Sequence, residues 1–79
     1  MTKVESKEDA ISVVSDFISR FGYIELQKIE KVEYVKEKNQ WMMLVRVKQA
    51  DANEFHIYEV RISGETGQME KFEMMGYTP

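Results

Sequence analysis

Two alternating runs, Trp41-Met42-Met43-Leu44-Val45-Arg46-Val47 and Phe55-His56-Ile57-Tyr58-Glu59-Val60-Arg61-Ile62, restrict this chain more than any other feature. Both are rich in β-branched and aromatic residues, and the polar stretch Gln49 to Glu54 divides them, so they read as the two arms of a β-hairpin. Closing the connection with Lys48 opposite Phe55 sets Val47 against His56, Arg46 against Ile57, Val45 against Tyr58 and Leu44 against Glu59. Residues opposite each other in an antiparallel pair share a face. Trp41, Met43, Val45 and Val47 therefore lie with His56, Tyr58, Val60 and Ile62 on the face predicted to be the core.

The core face needs a cover, and the N-terminal third supplies one. Ala10, Ile11, Val14, Phe17, Ile18 and Phe21 recur at spacings of three and four, the stripe of an amphipathic helix. Ser6 is placed to cap it, Glu8 and Asp9 suit the positive end of its dipole, and Gly22 can stop it. The pattern predicts a helix over residues 7–21, with Phe17, Val45 and Tyr58 buried together beneath it. Met1 to Glu5 reads as a flexible lead.

Tyr23 to Lys28 reads as a connection. In Ile29 to Lys36, Val32 and Tyr34 alternate but Ile29 and Val35 fall out of phase, the signature of a bulged or short edge strand. Glu37 to Gln40 is the expected turn; pairing Lys36 with Trp41 then brings Tyr34 opposite Met43 and Val32 opposite Val45. After Ile62, Ser63-Gly64-Glu65-Thr66-Gly67 reads as a second turn. Gln68 to Met75 returns as a last strand whose register is open, because Phe72 and Met74 share a parity that Met69 lacks. Gly76 to Pro79 reads as a tail. The expected fold is α+β: one domain with an N-terminal helix packed on a four-stranded antiparallel β-meander, in the order α-β-β-β-β.

Composition narrows the function classes. The 79 residues carry 11 basic and 14 acidic side chains, a net charge of −3 with no basic stripe, so nucleic acid is not an expected partner. No cysteine is present, which removes disulfides and thiolate metal sites. Met1 to Asp9 is charged rather than apolar, and the longest apolar run, Trp41 to Val45, is far short of a membrane span, so a cytoplasmic setting is expected.

Catalysis finds little support. His56 is the single histidine and has no second imidazole or thiolate to share a metal; a packing role is the expectation. Ser6, Ser12, Ser15 and Ser19 cap the helix or lie on its polar side, with no base nearby. Glu30, Glu33 and Glu37 alternate with lysines, as a solvated strand face does. The Ser63–Gly67 turn lacks the lysine and following helix of a phosphate loop, and Glu65 and Glu70 do not make a calcium loop. No enzymatic activity, cofactor or metal is expected.

The face turned away from the helix is less ordinary. Met42, Leu44, Phe55 and Ile57 lie there with Arg46, Glu59 and Arg61, an apolar group with charged neighbours of the kind that marks a contact with a protein partner or a second copy. Two alternatives stand beside that reading: the tail around Met75 and Tyr77 folds over these residues, or Lys and Arg stems shield them.

The order helix, weak strand, Trp41-x-x-x-Val45-x-Val47, Tyr58-Glu59-Val60-x-Ile62, Gly64-x-x-Gly67 and Tyr77 resembles the gas vesicle protein O family. The resemblance implies a small accessory protein that acts through protein contacts in vesicle assembly or its regulation. The chain departs from that pattern at Arg46 and Lys48, where the family tends to carry glutamates, in the shorter Gln49–Glu54 loop, and at Lys71 and Met74-Met75. The hairpin from Tyr58 to Met69 is also similar to the end of a PepSY-type domain, which implies an inhibitory or ligand-sensing role.

Overall fold

A computed structural model describes residues 3–22 and 24–78. Helix α1 spans Lys7–Ser19, and strands β1 (Ile24–Val35), β2 (Gln40–Gln49), β3 (Phe55–Ser63) and β4 (Met69–Thr78) follow it. All neighbouring strands are antiparallel and lie in chain order, a β-meander with β1 and β4 at its edges.

The helix starts as its sequence dictates. Ser6 Oγ accepts from the Asp9 backbone N–H at 3.2 Å, satisfying one orphan donor of the first turn, and the Asp9 carboxylate accepts from the N–H of Glu5, just ahead of the cap, at 3.1 Å. It ends at Ser19, short of Phe21, because the N–H groups of Arg20 and Phe21 bond three residues back, to Phe17 and Ile18. Gly22 then takes φ 74°. Ala10, Val14 and Ile18 are buried against the sheet, whereas Phe21 stays 37 % exposed.

The β2–β3 register is the expected one, from Lys48 opposite Phe55 to Trp41 opposite Ile62. Met43, Val45, Val60 and Ile62 are completely buried, and Trp41 and Val47 nearly so. Phe17 and Tyr58 are only half-buried; they meet through Phe72, whose ring stacks on Tyr58 at 4.5 Å and meets Phe17 edge-on at 5.3 Å.

The β1–β2 register differs from expectation by two residues: Tyr34 faces Trp41, Val32 faces Met43 and Ile29 faces Val45. Lys36–Lys38 wind into a 3-10 turn that closes on Asn39 in the left-handed region at φ 47°, so the reversal falls earlier than Glu37 to Gln40. A shift of two keeps parity, which is why Val32 still faces the core. Strand β1 begins at Ile24, within the expected connection, and is a long edge with irregularities between Leu26 and Lys28 and between Ile29 and Lys31. The second of these brings the out-of-phase Ile29 onto the core side.

The same device resolves β4. Irregularities at Glu70 and Met75 place Met69 opposite Ile62, Phe72 opposite Val60 and Met74 opposite Tyr58. The backbone of Gly76, Tyr77 and Thr78 pairs with Ile57, His56 and Phe55, so the expected tail is strand; the Tyr77 side chain and Pro79 lie outside the described residues.

Of the expected flexible lead, Met1 and Thr2 lie outside the described residues. Val4, by contrast, is buried: its N–H donates to Gly64 O at 3.0 Å, and its carbonyl accepts from Trp41 Nε1–H at 3.2 Å.

Candidate functional site

Helix α1 covers one side of the sheet, and among the described residues no second layer covers the other. Alternation along β2 and β3 sends Met42, Leu44, Arg46, Phe55, Ile57, Glu59 and Arg61 to that outer side, as their parity predicts. Met42, Leu44, Phe55 and Ile57 are half-buried by their own neighbours, and none belongs to the core cluster, so they form a second, separate apolar surface. The register gives this surface a shape. Leu44 faces Glu59 and Ile57 faces Arg46, so the apolar residues run diagonally from Met42 and Leu44 on β2 to Ile57 and Phe55 on β3.

Charges fill the two remaining quarters. Arg46 pairs with Glu30 at 3.0 Å, the glutamate being presented by the irregular stretch of β1, and its guanidinium lies 5.7 Å from the centre of the Phe55 ring. Its Nε is buried without a hydrogen-bond partner. Across the diagonal, Glu59 is only 9 % exposed. Arg61 Nε donates to one of its oxygens and Lys71 Nζ approaches the other at 3.4 Å. Arg61 also donates to Gln40 Oε1 at 3.0 Å, and Gln40 Nε2 donates to Glu70 at 2.8 Å. The hydrogen bond from Arg61, with help from the Lys71 ammonium, holds the Glu59 carboxyl below the usual carboxylate range despite its burial.

Of the two shielding alternatives, cover by the tail would fall to side chains from residue 76 onward, which lie outside the described ones, and the tail is described by its backbone alone. Its backbone from Gly76 to Thr78 extends the sheet in plane beside β3. At Phe55 it is the Arg46 guanidinium, not its stem, that lies over the ring. Sequence parity alone missed Glu30, Gln40 and Lys71 as members of this surface. Lys71 depended on a β4 register that its own parity left open, and Glu30 on an irregularity in β1.

His56 stands on the opposite side, opposite Val47, near the end of the sheet where β1 begins. It borders an open cavity of about 370 Å³ together with Ile24, Val47, Tyr58 and Met74. Its Nε2 lies 3.7 Å from the Glu54 carboxylate, an ion pair only when the imidazole is protonated. Among the described residues no three His, Cys, Asp or Glu side chains converge as a metal site, and no helix is long and apolar enough to cross a membrane.

Comparison with protein-family models, with curated proteins and with solved structures returns no match.

Proposed function

We propose that this chain is a small non-catalytic accessory protein that works in the cytoplasm through protein contacts on its outer sheet face, in the manner of the gas vesicle protein O family that its sequence order resembles. The observation that carries this reading is the apolar diagonal of Met42, Leu44, Ile57 and Phe55, separate from the core cluster and on the side away from the helix. A monomer gains nothing by placing four such side chains where Lys or Glu would serve. Glu30, Arg46, Glu59 and Arg61 frame them with fixed charge, which selects a partner and sets its orientation.

The test is the double substitution Leu44→Glu with Ile57→Lys, which leaves the core untouched. The tagged parent is expected to sediment from cells in a species larger than its own 9.3 kDa. The double variant is expected to sediment as a folded monomer. A variant that keeps its helix and sheet signals and every association of the parent removes this face as the contact surface.

A PepSY-like ligand-sensing role is the second reading, favoured by the cavity beside His56, Tyr58 and Met74. The two readings part at His56→Gln. Under the accessory reading this substitution leaves association and cellular activity unchanged and costs less than about 1 kcal/mol of stability, because the imidazole is half-exposed. Loss of activity in the folded variant would move the function to that cavity.

A further inference from the structure

We infer that the free edge of β4 takes an extended segment of another protein as an added strand, one that alternates apolar and basic residues. This contact is made at the margin of the sheet and is independent of the one proposed for its outer face.

The backbone selects a strand as the occupant. The sheet order leaves β4 with one neighbour, β3, so the N–H and C=O groups on its other margin have no sheet partner among the described residues. The opposite edge, β1, is guarded. The ion pairs Lys28–Glu30 and Lys31–Glu33 run along it, two irregularities interrupt it, and the backbone of α1 comes closest to it. β4 presents apolar side chains instead. Met74 and Met75 are 50 % and 57 % exposed, and Phe21, also exposed, stacks on Phe72 from the helix end. Of the large apolar side chains exposed among the described residues, only Tyr34 lies elsewhere.

Parity sorts the occupant's side chains. Ile62, Val60 and Tyr58, two apart on β3, face Met69, Phe72 and Met74 on the helix side of β4. A strand on the free margin meets the same three at the same spacing, so every second residue of it lies on the helix side. There the Phe72 ring stands between two open cavities of about 370 Å³ each, one bordered by Met69 and Phe17, the other by Met74 and Tyr58. Strand-addition sites gain their selectivity from such pockets for alternate side chains.

Charge sorts the remaining positions, which stand beside Lys71 and Glu73 on the outer side. Lys71 is already engaged by Glu59 at 3.4 Å. Glu73 is exposed and joins no ion pair among the described residues. Glu70, exposed at the irregularity, is met by the neutral Gln40 amide. The open charge of this margin is negative, and lysine or arginine on the added strand complements it.

The probe is a synthetic peptide of about eight residues that alternates valine and lysine, added to the purified full-length chain. Backbone amide NMR is expected to show shifts and slowed hydrogen exchange from Lys71 to Met75, with the β1 amides unchanged. Oxidation of Met74 should slow on binding and that of Met42 should not. A twin peptide with every backbone nitrogen methylated keeps the side chains, loses the donors and should bind about tenfold more weakly or worse. A peptide alternating valine and glutamate should lose about tenfold, and so should the original peptide on Glu73→Lys, whose fold is checked by its β2 and β3 amides. No binding, a response at β1 or Met42 in place of β4, or equal binding of the methylated twin overturns the added strand. Equal binding of the valine–glutamate peptide overturns the basic occupant. Amides of β4 that shift with protein concentration alone would assign the edge to a second copy and overturn it as well.

Discussion

Trp41→Ala will be the most damaging single substitution in the core, lowering stability by about 3–5 kcal/mol in urea denaturation. The indole is 8 % exposed, packs beside Tyr34 with ring centres 5.1 Å apart, and holds Val4 over the end of the sheet through Nε1–H. Its removal leaves a cavity and frees the N-terminal segment together. A domain of 79 residues has only roughly 4–12 kcal/mol to lose, at about 0.05–0.15 kcal/mol per residue. The alanine variant is therefore expected to be partly unfolded at 25 °C. Trp41→Phe separates the two roles: it keeps most of the ring volume, loses the hydrogen bond to Val4, and should cost about 1–2 kcal/mol. An unchanged denaturation midpoint for Trp41→Ala would show that the Val4–Trp41 contact does not secure the core.

The second large effect is electrostatic. Glu59→Gln is expected to cost on the order of 1–2 kcal/mol at neutral pH, since it leaves Arg61 and Lys71 without the carboxylate that both face. Its sign with pH follows from the direction of the shift. The folded carboxyl titrates below its unfolded counterpart, so its contribution is complete above the ordinary carboxylate range. It is lost as acid protonates the folded group. Stability of the parent should thus fall faster than that of Glu59→Gln as the pH drops below that range, and the two curves should converge. Parallel curves would mean that Arg61 and Lys71 do not hold the carboxylate.

The strand pair that organises the chain was readable because β2 and β3 alternate without interruption, and parity then fixed both faces, including the seven residues of the outer surface. Parity failed wherever the chain adds a residue. The irregularities of β1 and β4 exchange faces within a strand, so Ile29 and Met69 looked misplaced until the three-dimensional pairing absorbed Glu30 and Glu70. The first turn misled for a related reason. Nothing in Lys36-Glu37-Lys38-Asn39 announces a 3-10 turn closing on a left-handed asparagine rather than a tight reversal. Val4 was missed because one apolar residue in a charged segment carries no periodicity; its place is set by Trp41 and Gly64, both distant in sequence. The β2 and β3 part of the outer surface was legible, and its neighbours on β1 and β4 were not. Its diagonal follows from the β2–β3 register that the alternation already indicated, whereas the second cation at Glu59, Lys71, appears only once β4 is paired with β3.

That surface can be read without altering a residue, because the methionines report on it. Met42 faces outward and Met43, its neighbour, is completely buried, while Met74, opposite Tyr58 on the helix side of the sheet, is 50 % exposed. Oxidative footprinting with mass spectrometry should compare the chain within the larger species expected from cells with the same chain purified as a monomer. Contact through the outer face predicts that Met42 is oxidised in the monomer and protected on association, with Met43 protected in both states and Met74 oxidised equally in both. Oxidation of Met42 at one rate within the larger species and in the purified monomer would contradict it.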